Sequence, residues 1–98
     1  MFYYLSFADP NKPKGTQFLG ACIVKSPNFM LAVQGAWNFK CNPGGECKGA
    51  ELPAQFNKLY EKYQNKLMQV DEIKEFDKET RILSGEQDVN EGEVVQFI

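Results

Sequence analysis

Apolar and polar positions along the chain divide it into segments of two different periods. Phe2 to Ala8 alternates, with Tyr3, Leu5 and Phe7 on one side and Phe2, Tyr4 and Ser6 on the other, which is the pattern and composition of a β-strand. Asp9 to Gly15 stacks two prolines, an Asp/Asn pair and a glycine, so the chain must turn there. Gln17 to Lys25 predicts a second strand. Phe18, Gly20, Cys22 and Val24 are expected on one face and Leu19, Ala21 and Ile23 on the other. Apolar on both faces, it is expected to be the central strand and to pair with the first as an antiparallel hairpin closed by a long loop.

Ser26-Pro27 predicts a helix start, the serine capping free amides and the proline filling the first turn, where its missing N–H costs nothing. From there Phe29, Met30, Val33, Ala36 and Trp37, with the stem of Lys40, recur at helical spacing and predict an apolar stripe laid on the sheet. Asn42 is placed to end the helix in a left-handed conformation, with Pro43 blocking its continuation. Glu46 to Glu51 predicts a short extended segment. Residues 54–66 predict a second helix with a stripe of Phe56, Leu59, Tyr60 and Tyr63, followed after a break by Leu67, Met68 and a further turn or two over residues 71–76. The expected fold is therefore α+β: a small antiparallel sheet, hairpin plus short strand, covered by one amphipathic helix, with a second helix and an acidic C-terminal tail. The boundaries are a compact domain over residues 1–76 and an acidic tail over 77–98, with a final strand at 93–98.

Composition narrows the chemistry. Ninety-eight residues with 43% hydrophobic and 13% aromatic content suffice for one core. No apolar run is long enough to span a bilayer, and the first residues lack a basic signal-peptide region, so the expectation is a cytoplasmic protein with no membrane association. Three cysteines in such a chain read as reduced thiols; with no histidine, they also fall short of the four ligands of structural zinc. Residues 1–52 carry five lysines against three acids, and residues 53–98 carry six basic against ten acidic groups. That distribution excludes polymeric nucleic acid as a partner for the whole surface, while leaving room for a small anion held in the first half.

The absence of histidine removes Ser-His-Asp, Cys-His and two-histidine metal arrangements. Cys41 and Cys47, beside Lys40 and Lys48, are the remaining nucleophile candidates, and no base is placed to serve them. No catalytic residue, cofactor or metal is assigned, and the chain is not expected to be an enzyme. The most distinctive local feature is Asn42-Pro43-Gly44-Gly45-Glu46. Two glycines permit positive φ and close approach of the backbone, and successive amides in such a turn can cradle a phosphate or carboxylate oxygen. Lys40, Lys48 and Lys14 supply charge, Trp37, Tyr3 and Tyr4 offer stacking faces, and Glu46 can accept from a base amino group or a ribose hydroxyl. The alternative is that the turn merely ends a helix and that Trp37 belongs to the core.

Taken in order, Tyr4-Leu5-Ser6-Phe7-Ala8-Asp9-Pro10, Gln17-Phe18-Leu19-Gly20-Ala21-Cys22-Ile23-Val24, Ala32-Val33 and Asn42-Pro43-Gly44-Gly45-Glu46 resemble a family of small phage-encoded proteins, over about residues 2–52. The chain is also similar to viral sponge proteins that sequester the nucleotide second messengers of anti-phage immunity. That resemblance implies a non-catalytic binder of a cyclic di- or oligonucleotide, a homo-oligomer whose subunits complete each other's pockets, working in the host cytoplasm. The competing expectation is a small inhibitor or adaptor of a host protein, docked through the first strand, the Phe56/Tyr60/Tyr63 helix or the Val94–Ile98 tail.

Overall fold

The computed structural model describes residues 1–83, and the expected strand at 93–98 lies outside them. Three strands, β1 (Phe2–Ala8), β2 (Phe18–Lys25) and β3 (Glu46–Glu51), form an antiparallel sheet in the order β2-β1-β3. Helix α1 (Phe29–Asn38) connects β2 to β3 across one face. A 3-10 turn (Ala54–Phe56), α2 (Asn57–Tyr63) and α3 (Val70–Thr80) follow β3. The fold is α+β.

The middle strand is β1, not β2. A strand that is apolar on both faces must have both faces covered, but it need not be central. The outer edge of β2 is closed by an extended segment between α2 and α3: Ala21 and Met68 exchange N–H···O bonds of 3.0 and 2.6 Å, and Asn65 donates to Ile23 O at 2.9 Å. One register shift, between Phe7 and Ala8, also alters which side chains share a face. Gly20, at φ +135°, absorbs it, and Phe18 turns away from Cys22 and Val24 to pack with Ala21 and Ile23.

The two faces carry separate cores. On one, Phe2, Tyr4, Ala21 and Ile23 meet Tyr60, Tyr63, Met68, Ile73 and Phe76 from the α2/α3 side. Tyr4 stacks on Phe76 with centroids 6.3 Å apart, and the Tyr60 hydroxyl donates to Pro53 O at 2.7 Å. Each such fully buried large side chain contributes roughly 1.5–3 kcal/mol. The compact unit continues past residue 76. Asp77 and Thr80 are buried, Asp77 Oδ1 accepts the Leu83 amide at 2.7 Å, and Ile82 and Leu83 pack on this core. The expected single helix over 54–66 is instead a 3-10 turn plus the short α2, because Gln64–Met68 is drawn into extended pairing with β2.

On the other face, Tyr3, Leu5, Phe7, Cys22 and Val24 pack under α1 through Ala32 and Ala36. The N-cap of α1 is Asn28, whose Oδ1 accepts from Leu31 N at 2.9 Å; Ser26 Oγ instead donates to Asn28 O. Small residues form the seam: Gly35 lies so near Val24 that a Cβ would sit 3.1 Å from Val24 Cγ1. Of the expected stripe, Ala36 and Val33 pack on this core and Phe29 lies over Gly49 at its margin, whereas Met30 and Trp37 face away from the sheet, because the aromatic and leucine side chains of β1 already fill that layer.

Candidate functional site

The turn that follows α1 is built residue by residue as a helix stop. Lys40, at φ +59°, takes the left-handed position; its amide donates to Trp37 O at 3.0 Å, and Cys41 N donates to Ala36 O at 2.9 Å. This double closure is the Schellman pattern, with Cys41 and Ala36 making its apolar contact in the core. The left-handed residue is therefore Lys40 rather than Asn42. Asn42 folds the next step, its Oδ1 accepting the Gly44 amide at 2.8 Å.

The two glycines serve different purposes. Gly45 (φ +74°) lies against β1: a Cβ there would run into the Ala8 carbonyl oxygen and come within 2.9 Å of Leu19 Cδ1. Its close approach is to this protein's own backbone, where Ala8 pairs with Glu46. Gly44 (φ +90°) has nothing within 4 Å of that position, but its amide is already committed to Asn42. An anion cradle at this turn would have one amide fewer than the motif suggests.

Strand alternation separates the remaining candidates. Tyr3 lies on the α1 face, buried and edge-on to Phe29, with centroids 6.3 Å apart. Tyr4, Glu46 and Lys48 point to the opposite face; Tyr4 is fully buried within the α2/α3 core and presents no ring surface to a ligand. Lys14 is exposed in the β1–β2 loop, at the same end of the sheet as Asn42–Gly45. Trp37, Lys40, Asn42, Pro43, Gly44 and Gly45 therefore stay together along one stretch of chain, with Lys14 at the same end of the sheet as Asn42–Gly45, whereas Tyr3, Tyr4, Glu46 and Lys48 do not join them.

Chemistry at the thiols is suppressed. Burial, then the neighbouring Cys41 thiol, pushes the Cys22 thiol far above the ordinary range, and burial also raises Cys41 and Cys47. These groups are held protonated, the reverse of an activated nucleophile. Among the described residues, no three His, Cys, Asp or Glu side chains are grouped to hold a metal, and no helix is long and apolar enough to cross a membrane.

The feature that sequence reasoning missed is the outer surface of α1. Met30 is 81% exposed, Trp37 59%, Phe39 53%, Leu31 47% and Phe29 39%. At 3.6 residues per turn, the Ala32/Ala36 seam leaves these side chains on two flanks, separated on top by the polar pair Gln34 and Asn38. Phe29 reaches over Gly49 of β3, whereas Gly35 faces Val24 of β2. Phe29, Met30 and Trp37 thus lie toward β3, and Leu31 and Phe39 toward β2. The signal was present: within 29–39, only Gln34 and Asn38 are polar, and a helix apolar nearly all round is one that something else covers. Comparison with known proteins finds no family model, no curated protein and no solved structure that matches the chain.

Proposed function

We infer that this protein acts by binding rather than by catalysis, and that the outer surface of α1 docks a protein partner, as a small inhibitor or adaptor would. The observation that carries the reading is the exposure of five large apolar side chains on one ten-residue helix and its cap. Isolated exposed apolar residues are ordinary, but a cluster rimmed by polar groups marks an interaction surface. Protonated thiols and the lack of histidine agree with a binder. The test is affinity capture from bacterial lysate, comparing the unmodified chain with Leu31→Asp and Phe39→Asp. A partner retained in stoichiometric amount by the first and lost by both variants supports the reading. Equal retention by all three removes it.

A second reading has its own observation. The Trp37 indole stands exposed within a helical turn of Lys40 and shortly before the open Gly44 turn in the chain, with Lys14 at the same end of the sheet as that turn. An aromatic face next to a cation suits a nucleobase and its phosphate. Under this reading the protein sequesters a nucleotide second messenger in the host cytoplasm, in keeping with the resemblance to phage-encoded proteins. Isothermal titration with cyclic and linear nucleotides tests it, with Trp37→Ala expected to abolish the heat. A panel without any binding at micromolar protein rejects it.

A further inference from the structure

The outer edge of β3 and the adjoining flank of α1 form a single surface. Leu52 donates its amide to Phe2 O at 2.8 Å, so strand alternation directs the N–H and C=O groups of Glu46, Lys48 and Ala50 toward β1. Those of Cys47, Gly49 and Glu51 point outward, and no hydrogen bond among the described residues engages them. The opposite edge of the sheet is treated differently, since β2 is closed by Asn65 and Met68. A strand edge left open is a template for another strand; among the described residues this one is open, and it lies beside the exposed Phe29 and Met30.

We propose that a second copy of this chain docks on that surface, pairing β3 antiparallel with β3 about a two-fold axis at Gly49. Three features select this occupant and this register. Antiparallel neighbours share a face, so a symmetric pairing must match residues of like parity, and both members of each bonded pair must point outward. Gly49 opposite Gly49 satisfies this, with Cys47 opposite the second copy's Glu51, using every outward amide and carbonyl of β3. Shifting the pairing so that Lys48 is central would set like charges face to face.

The second feature is shape. Gly49 has no side chain, and the Phe29 ring fills the space above it: a Cβ at Gly49 would sit 2.6 Å from Phe29 Cε2. Pairing at Gly49 brings the Phe29 rings of both copies together over the axis, with each Met30 beside them. The third feature is area. The exposed parts of Phe29, Met30 and Trp37 amount to on the order of 400 Å² of apolar surface. With the strand edge, each copy would bury roughly 600–800 Å², close to the ~800 Å² per partner of stable complexes. Leu31 and Phe39, on the flank toward β2, remain free in this dimer.

Sedimentation equilibrium of the full chain tests the interface, together with hydrogen exchange at Cys47, Gly49 and Glu51. The expected result is a concentration-dependent dimer in which those three amides become protected as the dimer fills. Met30→Glu should weaken it at least tenfold, and Glu51→Pro, which removes only an outward amide, should do likewise. Circular dichroism checks that both variants fold; Met30 is exposed enough that its replacement leaves the monomer intact. Glu51→Cys should give a disulfide-linked dimer through native Cys47 under mild oxidation, and none when combined with Cys47→Ser. A monomer at millimolar concentration overturns the proposal, as does a dimer indifferent to both variants. A monomer with protected β3 amides also overturns it, and assigns the edge to residues 93–98 of the same chain. The proposal rests on reading the chain as a binding module, yet the two fail separately. A dimer that captures nothing through Leu31 and Phe39 keeps this interface and removes the docking function, while a monomer that captures a partner does the reverse.

Discussion

Replacing Gly45 with alanine, with Gly44→Ala as its control, tests whether the glycine turn exists for backbone packing. Both residues have positive φ, +90° for Gly44 and +74° for Gly45, so alanine at either is strained by about 1–2 kcal/mol. Gly44 faces open space, and the backbone term is all that Gly44→Ala should cost. At Gly45 the new methyl also collides with the Ala8 carbonyl oxygen and crowds Leu19 Cδ1, where backbone must move rather than a flexible side-chain end. Forcing a methyl into such a contact adds about 1–3 kcal/mol, for a total of about 2–5 kcal/mol. In a domain of this size, 1 kcal/mol shifts Tm by about 4–8 °C, so Gly45→Ala should melt roughly 8–40 °C lower. Urea unfolding followed by circular dichroism gives both values from midpoints at unchanged slope. Equal losses for the two variants, or a Gly45→Ala cost under about 1 kcal/mol, would refute the packing account and return the turn to a ligand-binding role.

Other outcomes follow from the same geometry. In native protein Cys47, only half-buried, should react with a thiol reagent well before Cys22 and Cys41, and all three should react together in denaturant; simultaneous native labelling would contradict the burial of the latter two. Ala36→Leu should destabilise by about 1–3 kcal/mol through overpacking of the α1 seam, whereas Met30→Ala should change stability by under about 0.5 kcal/mol. Unfolding free energies from urea titrations separate these. Burial pushes the Tyr60 phenol up to about 12 from its ordinary value of 10.0. The native state therefore holds this proton where the unfolded chain releases it. Its contribution to stability is complete below pH 10 and is lost as pH rises through about 12. A stability profile that is flat across this range would show that Tyr60 is not shielded.

Local periodicity made much of the fold legible. The β1 and β2 strands, the loop between them, the short β3 and the helical stretch of α1 all carry patterns that depend only on neighbouring residues. Errors arose where distant segments compete. Gln64–Met68 reads as helix continuation, but the Asn65 amide and both backbone groups of Met68 bond to the β2 edge instead. Phe18 reads as a face-mate of Cys22 until one residue of register shift turns it over. For the candidate site, the strip from Trp37 to Gly45 is contiguous in sequence and therefore stays together. Tyr3, Tyr4 and Lys48 were grouped with it by composition, and alternation across a pleated sheet separates them.

Sequence alone determined the three strands and the first helix, the α+β class, the lack of imidazole chemistry and the glycine turn as a place where the backbone must bend. Only the tertiary structure decided which side of α1 is its inside. Helical spacing groups side chains into faces but says nothing about which face a sheet will accept. Here β1 supplies the bulk beneath the helix, so Ala32, Gly35 and Ala36 fit the seam, Phe29 is pushed to the margin over Gly49, and Met30, Leu31, Trp37 and Phe39 are left outside. Close packing permits one layer of large side chains between a helix and a sheet, and the strand had already filled it.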